Sequence, residues 1–180
     1  LLSRGTRDQA ILSGIAAASG YGWGTSAHSV LRAVARRFGA DLIVDYTRED
    51  PVEAIRKATG GRGVDTAIEA LGSVATFSAC VSATRPGGTI SNVGYHGDGD
   101  TVPIPRLDWG VGMSDKTIRT ALCPGGSERM NRLMRLIQTK RVDPLPMTTH
   151  RFKFADIQQA FKMMQTKEGG MIKPLITFGS

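Results

Sequence analysis

An α/β fold built on a parallel, doubly wound sheet follows from three observations. Three β-rich runs, Asp41-Leu-Ile-Val-Asp-Tyr46, Val64-Asp-Thr-Ala-Ile-Glu-Ala70 and Thr89-Ile-Ser-Asn-Val-Gly-Tyr95, are separated by two stretches of helical period. That alternation is the mark of βαβ crossovers. After a break at Cys123-Pro-Gly-Gly126, further helical and extended stretches follow, which predicts a C-terminal α+β segment. What should precede the first run, a strand feeding a Gly-x-Gly-x-x-Gly turn, does not appear, so the sheet is read as lacking its first βαβ unit.

Residues 1–27 are dominated by Gly, Ser, Ala and Thr without a sustained period, as in a loop or disordered arm. Gly20-Tyr-Gly-Trp-Gly24 has GxGxG spacing with no strand before it, so it reads as a linker rather than a phosphate turn. From His28 to Phe38 the residues Leu31, Val34, Ala35 and Phe38 recur at helical spacing, and Gly39 stops the helix. Asp41 to Tyr46 reads as a strand. Asp50-Pro51 opens the next helix as cap and first-turn proline, and Gly60-Gly61 ends it.

Gly72-Ser73 begins a helix bearing Ala75, Phe77, Val81 and Ala83, with Pro86-Gly87-Gly88 as its terminator and a strand over Thr89 to Tyr95. Lys116 to Leu122 is extended. Ser127 is expected to cap a helix whose stripe of Met130, Leu133, Met134 and Ile137 reads as core filler. An extended segment over Thr148 to Phe154, a helix with Ile157, Ala160, Phe161 and Met164, and a strand over Ile172 to Phe178 complete the chain.

Composition narrows the function classes. At 180 residues and 41% hydrophobic, the chain can bury an ordinary core. No apolar run approaches the roughly 18 residues of a membrane span, and no apolar leader is present, so a cytoplasmic protein without membrane partners is expected. Cys80 and Cys123 form no CxxC and read as reduced thiols. The net charge of +7 is uneven: residues 1–40 hold five arginines against Asp8. That arm lacks aromatic interleaving and a recognition helix, which weighs against nucleic acid as a partner.

Sheets of this kind bind ligands at the carboxyl ends of their strands. Those ends are Tyr46-Thr47, Ala70-Leu71-Gly72 and Val93-Gly94-Tyr95-His96. Gly72 and Gly94 either admit a flat ring to the backbone or simply terminate strands. His96 with Asp98 and Asp100 offers three potential metal ligands, but alternating Gly and Asp is more typical of a tight turn. No nucleophile elbow, Ser/His/Asp constellation or acid/base carboxylate pair can be argued.

A set of short motifs then carries a resemblance. Arg37-Phe-Gly-Ala-Asp41, Gly61-Arg-Gly-Val-Asp65, Arg85-Pro-Gly-Gly-Thr89, Asn92-Val-Gly-Tyr95 and Val102-Pro-Ile-Pro-Arg-Leu-Asp-Trp109 are followed by Lys116-Thr-Ile118, Leu122-Cys-Pro-Gly-Gly126, Lys140-Arg-Val-Asp-Pro144 and Ile172-Lys-Pro174. In this order they resemble the C-terminal part of the zinc-dependent medium-chain alcohol dehydrogenases, nearest the bacterial secondary-alcohol type that prefers NADP. The resemblance implies a partial Rossmann sheet and three regions. Residues 1–37 form an irregular basic arm and helix, 38–122 a partial dinucleotide-binding domain, and 123–180 a segment of the catalytic domain. By the same match Tyr46 lies beside the adenosine ribose and its 2′-phosphate. Val93, Gly94 and Tyr95 line the nicotinamide, and Lys167 approaches the cofactor. Trp109 and Met113 sit on a loop at the substrate pocket or a subunit interface. NADP is the implied cofactor, NAD its alternative, and a homo-oligomer through the sheet edge is implied.

The departures shape the expectation. The family's zinc ligands and glycine-rich turn lie upstream of the matching region, and residues 1–40 hold no counterpart. The change of composition near Val34, with Leu1 at the start, reads as a frameshift, truncation or fusion junction. The expected function is a fragment of an NAD(P)-dependent, zinc-assisted dehydrogenase of small secondary alcohols and ketones. It would be inactive alone, unable to bind catalytic zinc by itself. The alternative is a non-catalytic nucleotide-binding or dimerisation module.

Overall fold

The structure, a computed structural model, describes residues 32–122, 125–166 and 168–179. They form two compact units, one containing residues 40–122, the other residues 32–39 with 125–179.

The first unit is a three-stranded parallel sheet, β1 (Val64–Glu69), β2 (Thr84–Asn92) and β3 (Thr117–Thr120), in the order β1-β2-β3. Helix α1 (Pro51–Ala58) precedes β1, and α2 (Val74–Ala83) connects β1 to β2. Local chemistry explains both helices. The Asp50 carboxylate accepts from the Val52 and Glu53 amides at 2.8 and 3.0 Å, and Pro51 supplies a first-turn φ without wasting a donor. Gly60 and Gly61, at φ 61° and 84°, turn the chain back so that Gly61 N donates to Arg56 O at 2.7 Å. Ser73 caps α2 through the Thr76 amide.

Both helices contribute to one core of Ile55, Val64, Ala67, Phe77, Cys80, Val81, Ala83 and Ile90, with Trp109 and Ile118 packed against it. Burial pushes the Cys80 thiol up to about 11, helped by the negative Glu69 nearby, so it stays protonated and inert at neutral pH.

Three local expectations are corrected here. Residues 42–45 join no ladder among the described residues. A strand exists only where a neighbour takes its backbone groups, and Asp45 instead folds the chain into a turn through Thr47 N (3.1 Å) and Thr47 Oγ1 (2.6 Å). Strand β2 begins at Thr84 and runs through Pro86-Gly87-Gly88, which therefore does not terminate α2. The helix ends when the Thr84 hydroxyl and amide both turn back to Cys80 O. The pairing then jumps from Val64↔Thr84 to Thr66↔Thr89, so residues 85–88 form an irregular excursion anchored by Arg85 on Asp65 (2.5 Å). Tyr95 lies beyond the strand, which ends at Asn92.

In the second unit, residues 32–37 are helical and Gly39, at φ 89°, stops them; residues 28–31 of the expected helix lie outside the described residues. Helix α3 (Ser127–Gln138) is followed by β4 (Thr148–Lys153), α4 (Ile157–Thr166) and β5 (Lys173–Thr177). β4 and β5 pair in parallel. Ala160 of α4 and Met171 before β5 are buried. Ser127 is the first helical residue rather than the cap: Gly126 takes that position at φ 105°, a conformation suited to glycine. The stripe expected as core, Met130, Leu133, Met134 and Ile137, is 41–61% exposed. Helical period identifies an apolar face and leaves open what covers it. A shallow cleft of about 130 Å³ borders the exposed Arg37–Asp143 pair (3.7 Å).

Removing the α1 cap by Asp50→Ala is expected to cost about 1 kcal/mol. In a chain of this size a circular-dichroism melt should register it as a drop of about 2–4 °C in Tm.

Candidate functional site

The carboxyl ends of β1 and β2 meet around Glu69. Alternation along β1 turns Ala67 and Glu69 to the interior, so the strand's last residue places a carboxylate inside the sheet end, 1% exposed. Burying a charge is costly unless hydrogen bonds compensate. Oε1 accepts three, from Leu71 N (2.8 Å), Gly72 N (2.8 Å) and the Thr76 hydroxyl (2.7 Å). The Glu69 main-chain carbonyl accepts two more, from Val93 N (2.8 Å) and Gly94 N (3.1 Å). One residue thus fastens the turn after β1, the start of α2 and the segment after β2.

Burial pushes the Glu69 carboxyl up. The Thr76 hydroxyl, the Gly72 and Leu71 amides and nearby His96 together outweigh it, so its pKa lies below the ordinary 4.5. Oε2 is buried without a hydrogen-bond partner and lies 3.6 Å from His96 Nε2. His96 is held between Asn92 Oδ1 (2.9 Å) and the edge of the Phe77 ring.

Gly72 and Gly94 have a definite role in this geometry. A Cβ on Gly72, at φ 86°, would overlap the Tyr95 carbonyl, and one on Gly94 would strike Glu69 Oε2 and Gly72 N. The two strand ends therefore touch backbone to backbone. Outward from this contact, Val93 is 57% and Tyr95 87% exposed, forming an apolar and aromatic ledge with Gly94 between them. Tyr46 is half-buried at the turn after residues 42–45. Lys167 lies outside the described residues.

Trp109 packs on the core while Met113, 82% exposed, stands at the end of the following Gly-Val-Gly turn. Val111 and Asp115, at φ 49° and 54°, lie in the left-handed region that side chains disfavour. A clamp holds this loop: Lys116 Nζ donates to Val81 O (2.8 Å) and Asp108 O (2.5 Å), and Ser82 Oγ donates to Asp108 (2.7 Å). Arg56 reaches the same carboxylate at 3.4 Å. Burial lowers the Lys116 pKa.

The metal reading of His96, Asp98 and Asp100 is not supported by the geometry. His96 turns inward to Asn92 and Glu69, Asp98 and Asp100 are exposed, and no cluster of three His, Cys, Asp or Glu side chains suits a metal among the described residues. Sequence reasoning passed over Glu69, Thr76 and Asn92. The available signal was an acidic residue in phase with Ala67 on the buried face of a β run.

Two outcomes follow for the chain. Gly72→Ala is expected to destabilise it by about 3 kcal/mol, read from urea unfolding, because the methyl meets backbone. For Glu69 the folded pKa lies below the unfolded one. Its stabilisation is therefore present above the unfolded value and lost as pH falls through the folded one. Glu69→Gln should accordingly flatten the fall of Tm between about pH 6 and about pH 3, and an unchanged slope would refute the assignment.

Comparison with known proteins agrees with this architecture. The family model described as zinc-binding dehydrogenase matches residues 15–139. The NADP-dependent isopropanol dehydrogenase of Thermoanaerobacter brockii is 46% identical over 144 residues, 79% of this chain and 41% of that protein. An alcohol dehydrogenase of Cupriavidus necator is 41% identical over 140 residues, 78% and 38% of the two chains. The chain therefore spans about two-fifths of the length of these relatives. Among solved structures, benzyl alcohol dehydrogenase from Acinetobacter calcoaceticus superposes with a TM-score of 0.72 at 27% identity, covering 84% of this chain and 41% of that one. A zinc-dependent alcohol dehydrogenase from Streptococcus pneumonia gives 0.71 at 28%, covering 84% and 43%. With this match over most of its length, and a parallel sheet whose strand ends form the candidate site, the chain belongs to the zinc-binding dehydrogenase family.

Proposed function

We propose that this chain supplies the nicotinamide-facing wall of an NADP-dependent secondary-alcohol dehydrogenase acting in the cytoplasm. The observation that carries the reading is the ledge of Val93, Gly94 and Tyr95, exposed outward and pinned inward by Glu69. A flat ring fits such a surface: Gly94 offers no side chain, and the flanking Val and Tyr provide apolar contact on either side. The bound nicotinamide would supply the hydride chemistry for the alcohol carbon. The chain's own contribution is to orient the ring and to keep water from one of its faces. Tyr46 is assigned to the adenosine ribose and its 2′-phosphate, Lys167 to the cofactor near the domain cleft, and Trp109 and Met113 to the substrate pocket or a subunit interface.

Zinc serves this family by polarising the alcohol oxygen and lowering its pKa. The described residues do not fit that ion, since none of their His, Cys, Asp and Glu side chains cluster in threes. The chain by itself is assigned cofactor contact rather than turnover. Residues 38–122 are assigned to the partial cofactor domain and 123–180 to a segment of the catalytic domain, with residues 1–37 as an arm.

A second reading, a non-catalytic nucleotide-binding or dimerisation module, is favoured by β3, which among the described residues has a strand neighbour on one side only. Sedimentation and nucleotide titration separate the two uses. Weak, saturable binding of NADPH by nicotinamide fluorescence is expected, with NADH about tenfold weaker, equivalent to about 1.4 kcal/mol. Tyr46→Ala should narrow that gap. Equal affinities for the two nucleotides would sink the NADP preference, and no binding of either would sink the cofactor reading. Self-association without nucleotide binding would favour the dimerisation module.

A further inference from the structure

Glu69 presents a puzzle that its structural contacts do not resolve. Oε1 makes all three side-chain hydrogen bonds, which a neutral glutamine oxygen would satisfy equally well. Oε2 is buried with no hydrogen-bond partner, a cost that fold stability alone does not require. Its surroundings indicate a use. Asn92 Nδ2 donates to Gly94 O at 2.9 Å, which fixes the amide so that its Oδ1 faces His96. That oxygen accepts from Nε2 at 2.9 Å, and His96 must therefore carry a proton there. Glu69 Oε2 sits 3.6 Å from the same nitrogen. In a buried setting, a negative oxygen facing an imidazole lone pair is repelled and one facing an N–H is attracted, so the charge selects this tautomer. Phe77, edge-on at 5.9 Å, keeps the ring plane in place.

We propose that Glu69 is a positioning residue whose charge sets the polarity of a relay, through His96 and Asn92, that holds the Gly94 carbonyl and with it the Val93–Tyr95 ledge. The relay runs from Glu69 Oε2 to the Nε2–H of His96, on to Asn92 Oδ1, and from Asn92 Nδ2 to Gly94 O. Reversing the first member reverses the rest. If His96 Nε2 became an acceptor, Asn92 would flip its amide toward it, and Gly94 O would face an oxygen instead of a donor. The functional consequence rests on the ledge being the cofactor-facing wall; the relay itself does not.

The test begins on the nucleotide-free full chain at about pH 8. Long-range proton–nitrogen spectra of the His96 ring give the tautomer, and backbone amides of Gly94 and Tyr95 report the ledge. Wild type is expected to show Nε2–H. Glu69→Gln should convert the ring to Nδ1–H and move both amides, because the glutamine amide then donates to Nε2. His96→Gln, whose amide donates in the same sense, should keep the amides near their wild-type positions, whereas His96→Phe should move them. If Glu69→Gln does not fold, that pair decides the His96–Asn92–Gly94 part of the relay, and the wild-type tautomer decides the Glu69 part, an Nδ1–H ring in wild type overturning it. NADPH affinity should fall about tenfold in Glu69→Gln and His96→Phe and hold in His96→Gln, tenfold being about 1.4 kcal/mol. An unchanged tautomer with unmoved amides in Glu69→Gln, or equal amide shifts in both His96 variants, would overturn the relay. Moved amides with unchanged NADPH affinity would overturn the positioning role. Failure of wild type to bind NADPH would count against the proposed function, leaving the spectra to decide the relay.

Discussion

The buried carboxylate of Glu69 is the constraint on which the candidate site depends. A charge placed at the end of a strand, 1% exposed, must be compensated locally. The groups that compensate it are the turn after β1 and the first turn of α2, while the same residue's main-chain carbonyl takes two amides from the segment after β2. Elements distant in sequence are thereby brought to one point, and the two glycines let their backbones touch there. The ledge is hydrogen-bonded on its inner side and exposed on its outer side.

The rest of the sheet supports that arrangement at a distance. The core between α1, α2 and the strands fixes the strand positions, with Val81 and Ile90 fully buried. On the far side of β2, the Lys116–Asp108–Ser82 clamp holds a loop with two non-glycine residues in the left-handed region, leaving Met113 in solvent. Backbone strain of this sort persists only where surrounding contacts enforce it. The ledge beyond the carboxyl end of β2 and the loop before β3 are thus each held by polar side chains that sequence motifs alone do not single out.

Family membership and the partial span of the relatives bear on how this surface is used. An NADP-dependent relative shares nearly half its residues over the matched region, yet the chain covers 41% of that protein. Resemblance over such a region transfers a fold rather than a complete reaction, because chemistry resides in sites rather than folds.

Local chemistry made much of the fold legible. Asp50-Pro51, Ser73 and the paired glycines after α1 act within a turn of their own position, and each is where the sequence placed it. The α/β alternation and strand β1 follow from periodicity, which is also local. Misreadings arose where the outcome depends on a neighbour. Residues 42–45 have strand composition but no ladder partner among the described residues, and β2 starts early because its pairing with β1 absorbs a Pro-Gly-Gly excursion. The methionine stripe of α3 marks an apolar face without saying what meets it. Of the site, the strand ends and the ledge residues were readable from the general location of ligands in parallel sheets. The sequence by itself determined the α/β alternation, the helix starts at Asp50 and Ser73 and the position of β1. Only the tertiary structure decided that Glu69, His96 and Asn92 act together, because their contact requires two strands to end side by side.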